Sequence, residues 1–287
     1  IILKNLIIGT AQLVRQYGIS NDSKKKTSKN IFEFLEFCLN NSINSFDTAF
    51  DYGSEKIIGE FIKSNKIRKI FISTKIPSLK KIKEKDKIDT IKRQIEYSYK
   101  NLNIESLKSI YFHDEKDFYF FKKKDFEIKK IIKNYKINKL GFSIYSKKFF
   151  RKMNYHKHVD TIQLPINIIN NDFKNLNSKK NIVARSIFLQ GLLINQKINT
   201  KNLLLKNFNK KLFKFANEKN IDLYSICLNY ILKNKKINQF IVGFDNLDQL
   251  KNLMSFKYRS FDDKNIELIN KLVSNKNYRK IIDPRKW

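Results

Sequence analysis

Short apolar runs alternate with longer amphipathic stretches along this 287-residue chain, almost to its end. The runs at Leu6–Thr10, Ser45–Thr48, Lys69–Thr74, Ser109–His113, Lys139–Ile144, Asp160–Leu164, Asn181–Arg185 and Gln239–Val242 are apolar-rich and only four to six residues long. Runs of this kind predict strands buried on both faces, as in parallel sheets. Between them, Asn30–Leu39 carries apolar residues at helical spacing. Ser54 ahead of Glu55–Ile62 reads as a helix cap. Asp86–Leu102, Asp125–Tyr135, Asn209–Asn220 and Leu223–Leu232 continue the helical series.

Eight strands with intervening helices predict an α/β fold, a (β/α)8 TIM barrel of about 250 residues or more, as one domain over 1–287. A doubly wound open sheet is the competing architecture. It wants a G-x-G-x-x-G fingerprint, which the chain lacks. No Pro/Gly/Ser-rich linker or abrupt change of composition marks a second domain.

A hydrophobic fraction of 41% is ample for a core. No apolar run reaches the roughly 18 residues that span a bilayer, so no membrane partner is expected. The segment Ile1 to Gly9 is interrupted by Lys4 and Asn5 and reads as a first strand, not a signal peptide. Cys38 and Cys227 lie in helical patterns and read as free, buried thiols. Together these features point to a cytoplasmic protein. The net charge of +32 raises the question of nucleic acid. The lysines, however, are spread over nearly every expected helix, with abundant Asn and Ile but only 7 Gly and 3 Pro. That bias suggests A- and T-rich codons, so no specific nucleic-acid partner is expected. Lys24–Lys26 and Lys122–Lys124 read as solvated segments, and His156 and His158 as surface residues without metal-binding partners.

Candidate chemistry gathers at strand ends. Asp47 lies at the end of the second strand and Tyr52 follows five positions later; Lys75 follows the third strand, and His113 ends the fourth. In a parallel barrel these ends open onto one face, where active sites are built. Each residue alone has an ordinary structural use: a loop-anchoring Tyr, a snorkelling Lys, a satisfied His. The set of four, in this order, resembles the catalytic tetrad of the aldo-keto reductases, (β/α)8 barrels that reduce carbonyls with a nicotinamide cofactor.

The resemblance covers nearly the whole chain. It includes Gly9-Thr10, Asp47-Thr48-Ala49 through Tyr52-Gly53-Ser54-Glu55, and Ser73-Thr74-Lys75. It implies that Ser143 and Gln163 hold the nicotinamide carboxamide. Arg185, Ser186, Phe188, Gln190 and Gly191 fall in the segment that wraps the pyrophosphate. Gly243, Phe244, Asp245 and Gln249 face the adenosine end. Tyr52 would be the proton donor. Lys75 would lower its pKa from near 10, Asp47 would fix Lys75, and His113 would hydrogen-bond the substrate oxygen. The family's habit places NADP(H) ahead of NAD(H).

Departures accompany the likeness. Ile144 stands where many members have Asn, and Arg185 where many stack a Tyr on the nicotinamide. The segment 243–249 offers no cation for a 2′-phosphate, leaving Lys251 or a lysine from another loop to serve. Phe50, Phe112, Asp114 and Glu115 are expected near the mouth, with the tail to Trp287 closing over it. The Gln-Leu-Pro-x-Asn and Arg-Ser-x-Phe-Leu-Gln-Gly combination resembles a bacterial branch linked to surface-sugar biosynthesis, pointing to a sugar-like aldehyde or ketone. The alternatives are a cofactor-binding redox sensor or partner-docking barrel with little turnover, and a basic nucleic-acid binder. Oligomeric state is not legible.

Overall fold

A computed structural model describes residues 2–15, 18–19, 26–257, 262–273 and 275–287. Its centre is a closed barrel of parallel strands: β1 (Leu6–Gly9), β2 (Ser45–Asp47), β3 (Phe71–Ile76), β4 (Leu107–Phe112), β5 (Ile137–Ser143), β6 (Thr161–Pro165), β7 (Asn181–Arg185) and β8 (Gln239–Gly243). Each strand pairs with the next, and β8 returns to β1 in the register Gly9↔Gly243. Every strand lies within two residues of its sequence-predicted bounds. The barrel is the predicted (β/α)8 fold.

The apolar runs are continuous because the strands pack on both sides. Ile8, Phe46, Leu140, Phe142, Ile162 and Leu164 are wholly enclosed in one cluster that joins the barrel to the surrounding helices. A second cluster lies under the β7–β8 connection, where helices Leu203–Glu218 and Leu223–Lys233 pack on Leu189, Leu192 and Leu193. The first large helix, Ser28–Asn40, starts on a capping box between Thr27 and Asn30. Such reciprocal bonds satisfy two otherwise orphaned backbone donors.

Several local expectations change. Ser54 is not a cap. Gly53, at φ 78°, holds that position, and Ser54 is the first residue of helix Ser54–Ser64. Its hydroxyl instead bonds Thr10 Oγ1 at 2.8 Å and Thr48 Oγ1 at 2.9 Å. Helix Leu203–Glu218 begins six residues before the predicted Asn209, because Asn202 caps Leu204 N at 3.0 Å. The Leu203–Leu205 triplet carries no helical periodicity of its own. Residues Ile2–Asn5 form a helical turn rather than the start of the first strand. His156 and His158 are half-buried around one carboxylate, at 3.5 and 2.8 Å from Asp125 Oδ2. Of Lys24–Lys26, only Lys26 lies within the described residues, and it is engaged in the site below.

Helices Ser54–Ser64 and Lys87–Leu102 meet at Gly59, where a Cβ would stand 1.9 Å from the Asn101 carbonyl oxygen. Only glycine permits that approach. Among the described residues, no helix is long and apolar enough to cross a membrane, and no group of three or more His, Cys, Asp or Glu could hold a metal ion.

Candidate active site

The strand ends at the open face carry the polar groups. Asp47 ends β2 and Lys75 is the fifth residue of β3. Asp47 Oδ2 and Lys75 Nζ form an ion pair whose side chains are 5% and 2% exposed. Lys75 also donates to Thr48 O at 2.7 Å, and Gln163 Nε2 donates to Asp47 Oδ1 at 2.6 Å. Two buried charges so close are tolerable because each is paired and hydrogen-bonded further.

Tyr52 is presented by a tight 3-10 turn, Phe50–Tyr52, whose left-handed exit at Gly53 (φ 78°) redirects the chain into the next helix. A left-handed residue at such a junction favours glycine. Lys75 Nζ lies 5.1 Å from the Tyr52 ring centroid, and the His113 ring meets the Tyr52 ring edge-on at 6.0 Å. The four residues of the expected tetrad therefore converge.

They share a cleft of about 670 Å³, well within the roughly 300–1,000 Å³ typical of small-molecule sites. Gly9, Thr10, Ser143, Gln163, Arg185, Ser186, Phe188, Gln190, Gly191, Gly243, Phe244, Asp245 and Gln249 line it as well. Every residue nominated for the tetrad, the carboxamide, the pyrophosphate segment and the segment 243–249 therefore lines one cavity.

A sequence profile described as the Aldo/keto reductase family matches residues 5–274. The chain belongs to the aldo/keto reductase family. Family membership makes it an NAD(P)-dependent oxidoreductase, in a family whose chemistry is carbonyl reduction. Solved structures share the fold at low identity. The aldo-keto reductase AKR11C1 from Bacillus halodurans (holo form) superposes with a TM-score of 0.72 at 16% identity, covering 94% of this chain and 92% of that one. The glycerol dehydrogenase AKR11B4 from Gluconobacter oxydans gives a TM-score of 0.67 at 19% identity, covering 98% and 93%. A search of curated proteins by sequence found no match.

The cleft of this aldo/keto reductase fits a nicotinamide cofactor on its own chemistry. Gln163 is 1% exposed, and its Oε1 is buried without a hydrogen-bond partner. The neighbouring Tyr111 hydroxyl bonds Thr161 Oγ1 at 3.1 Å. An orphaned buried acceptor lining a cavity suits a ligand donor such as a carboxamide NH2.

Some nominated residues serve differently than expected. Thr10 is fully buried, and its hydroxyl is spent on Asp47 O at 3.1 Å and on Ser54. Arg185 lines the cleft with its guanidinium fastened to the wall: Nε donates to Ser143 Oγ at 3.2 Å and Nη2 to Ile144 O at 3.0 Å. Ile144 thus contributes its carbonyl while its side chain packs in the core. The expected lowering of the Tyr52 pKa by a cation is outweighed. Burial of the phenol, and then the Asp47 carboxylate, push it above its ordinary value, with Arg185 pulling it down. Asp47 is also the partner of Lys75, which limits how far that ammonium can act on the phenol.

In the segment after β8, Asp245 accepts from Gln12 Nε2 at 2.9 Å and from Gln249 Nε2 at 3.3 Å. Gly243 leaves room for Gln12, whose Oε1 would otherwise meet a Cβ at 1.6 Å. Lys251 packs against the Phe37 ring, 5.7 Å from its centroid. Lys26, from another loop, donates to Gln12 O and Phe244 O, each at 3.0 Å. Burial lowers its pKa against the opposing pull of Asp245.

The residues expected at the mouth disperse. Phe112 is fully buried, stacked on Phe142 at 4.9 Å, and Phe50 packs near Tyr97 at 6.3 Å. Asp114 bonds Ser78 Oγ at 2.9 Å. Glu115 lines a second cavity of about 330 Å³ beside the cleft, together with Asp283 and Arg285 of the tail. The Trp287 indole turns back to Ile281 O at 3.1 Å and packs on the second core cluster.

Three further residues take roles that the sequence reading did not assign. Asp51 lies 3.8 Å from His113 Nδ1, and that histidine is the main reason its carboxyl pKa falls. Its position in the same turn as Tyr52 was the available signal. Glu55 is buried and accepts from Thr74 Oγ1 at 2.6 Å, Ser98 Oγ at 2.8 Å and Asn101 Nδ2 at 3.4 Å. It braces the strand that carries Lys75. Tyr145 lines both cavities and had no distinguishing motif.

Proposed function

We propose that this chain reduces an aldehyde or ketone to the alcohol with NAD(P)H, using Tyr52 as general acid assisted by Lys75, Asp47 and His113. The observation that supports this reading is the convergence of these side chains from the ends of β2, β3 and β4 around one cleft. The cofactor, when bound, supplies the hydride to the carbonyl carbon. As negative charge grows on the carbonyl oxygen, Tyr52 gives it a proton. An alkoxide is a stronger base than a phenolate, so a phenol held protonated by its surroundings still transfers its proton readily. His113, steadied by Asp51, donates a hydrogen bond to the same oxygen. The Asp47–Lys75 pair keeps a fixed cationic dipole behind Tyr52 to stabilise the phenolate left after transfer.

In the same reading Ser143 and Gln163 hold the carboxamide, and the loop Arg185–Gly191 curls around the pyrophosphate. Ser186, Leu189 and Gln190 of that loop have φ of 56°, 48° and 54°. Left-handed residues in such a loop turn backbone N–H groups to one side, which suits an anion. The segment Gly243–Gln249 and the adjoining helix N-terminus after Asn246 receive the adenosine end. NADP(H) is placed ahead of NAD(H) by the family's habit, with Lys26 as the nearest cation for a 2′-phosphate. The substrate would be a sugar-like carbonyl compound, and the location cytoplasmic, where Cys38 and Cys227 stay as thiols. Replacing Tyr52→Phe should remove at least 99% of aldehyde turnover, about a 10²-fold loss typical of deleting a general acid. Cofactor affinity should change less than threefold. Undiminished turnover in that variant would refute the role.

A further inference from the structure

Arg185 is the exceptional charge in this cleft. Its three recorded hydrogen bonds go to neutral acceptors: Ser143 Oγ at 3.2 Å, Ser186 Oγ at 3.4 Å and Ile144 O at 3.0 Å. Among the described residues no carboxylate forms an ion pair with it, whereas Lys75 has Asp47 and Arg285 has Asp283. Its guanidinium carbon lies 4.1 Å from the Tyr145 ring centroid, and that of Arg285 lies 3.5 Å from the same centroid. Two guanidinium groups thus hold one phenol ring in place at the boundary between the two cavities. The charge of Arg185 also reaches Tyr52, whose pKa it draws down against burial.

A cation lining a partly enclosed cleft without a counterion keeps its full attraction for an anion. With Nε, Nη1 and Nη2 each giving one N–H to a neutral acceptor, the guanidinium keeps one further N–H on each Nη, in its plane, for a carboxylate or phosphate oxygen. We propose that Arg185 anchors an anionic group on the substrate, so that the natural substrate is a carbonyl compound bearing a carboxylate or phosphate a few atoms from the carbonyl. The inference rests on the reductase reading of the same cleft and narrows it to a charge class. Tyr145, in contact with both guanidinium groups, closes the flank of this subsite. The cofactor's pyrophosphate is the competing anion, and the test separates the two.

The probes are 4-carboxybenzaldehyde and its neutral methyl ester, which match in carbonyl chemistry and differ in charge. Binding is measured by calorimetry to protein loaded with oxidised cofactor, where no hydride is available and turnover plays no part. The acid should bind at least tenfold more tightly than the ester, about 1.4 kcal/mol. That ratio should fall to within twofold in Arg185→Gln and recover at least threefold in Arg185→Lys. Inorganic phosphate and acetate should compete with the acid in the parent protein, and their relative strength distinguishes a phosphate from a carboxylate ligand. Equal binding of acid and ester would overturn the proposal. So would an Arg185→Gln variant that loses cofactor affinity tenfold while keeping the acid-to-ester ratio, since the guanidinium would then serve the pyrophosphate. Rates with reduced cofactor are read separately. Charge-selective binding with no reduction of either aldehyde would sink the reductase reading and leave the anion subsite standing. Reduction of both aldehydes with equal kcat/KM would do the reverse.

Discussion

Removing both halves of the Asp47–Lys75 pair should destabilise the barrel by clearly less than the sum of removing each half alone. The two side chains are 5% and 2% exposed, so either charge left alone sits in low dielectric. Breaking a buried pair from one side costs roughly 3–5 kcal/mol. In Asp47→Asn the amide oxygen can still accept from Lys75, and Thr48 O still accepts at 2.7 Å, so the lower end, about 3 kcal/mol, applies. In Lys75→Met the carboxylate keeps only Gln163 Nε2 at 2.6 Å, and the loss is also about 3 kcal/mol. The double variant contains no unpaired charge. Its loss should therefore fall short of the summed single losses by at least about 2 kcal/mol. Urea denaturation followed by far-ultraviolet circular dichroism gives each value, provided the slopes agree. Additive losses, with a coupling below about 0.5 kcal/mol, would show that the pair is not energetically buried. The reasoning above would then fail.

Gly59→Ala should cost at least about 2 kcal/mol in the same assay, because the new Cβ would meet a backbone oxygen at 1.9 Å and force two helices apart; a loss under 0.5 kcal/mol would contradict the close approach. Asp117 is buried, and its pKa is pushed up to about 6, chiefly by desolvation. The folded state then holds a proton that the unfolded state releases between about pH 4 and 6, so this group's contribution falls as pH rises through that window. Asp117→Asn should flatten that part of the stability–pH curve and stabilise the protein at pH 7 relative to pH 4; an unchanged curve would count against the burial argument. The Leu79 N–H that Asp117 accepts at 3.1 Å can be retained by the amide oxygen.

Much of this molecule is written in local pattern. The strands are legible because barrel strands buried on both faces must be short and apolar, and Ile162 or Leu164 could sit nowhere else. The convergence of Asp47, Lys75 and His113 is legible because they fall at or beside strand ends, where parallel topology fixes their face. What sequence pattern could not give are choices made across long separations. Ser54 looks like a cap until Thr10 and Thr48 are brought to its hydroxyl from 44 and 6 residues away. Glu55 gains its bracing role only when Ser98 and Asn101, more than forty residues on, fold onto it. Phe112, adjacent in sequence to His113, points into the core because successive strand residues face opposite sides. The depression of the Tyr52 pKa expected from Lys75 is offset by a carboxylate and by burial, neither of which appears in the spacing of residues.

The most direct test of the central claim is isotope transfer. NADPH or NADH carrying deuterium at C4 is mixed with the protein and 4-carboxybenzaldehyde, and the product is analysed by NMR. Deuterium at the alcohol carbon, one per cofactor oxidised and from one face of the nicotinamide only, is the predicted result. Cofactor bound without any label reaching the alcohol carbon, across aldehydes and ketones of either charge, would contradict it.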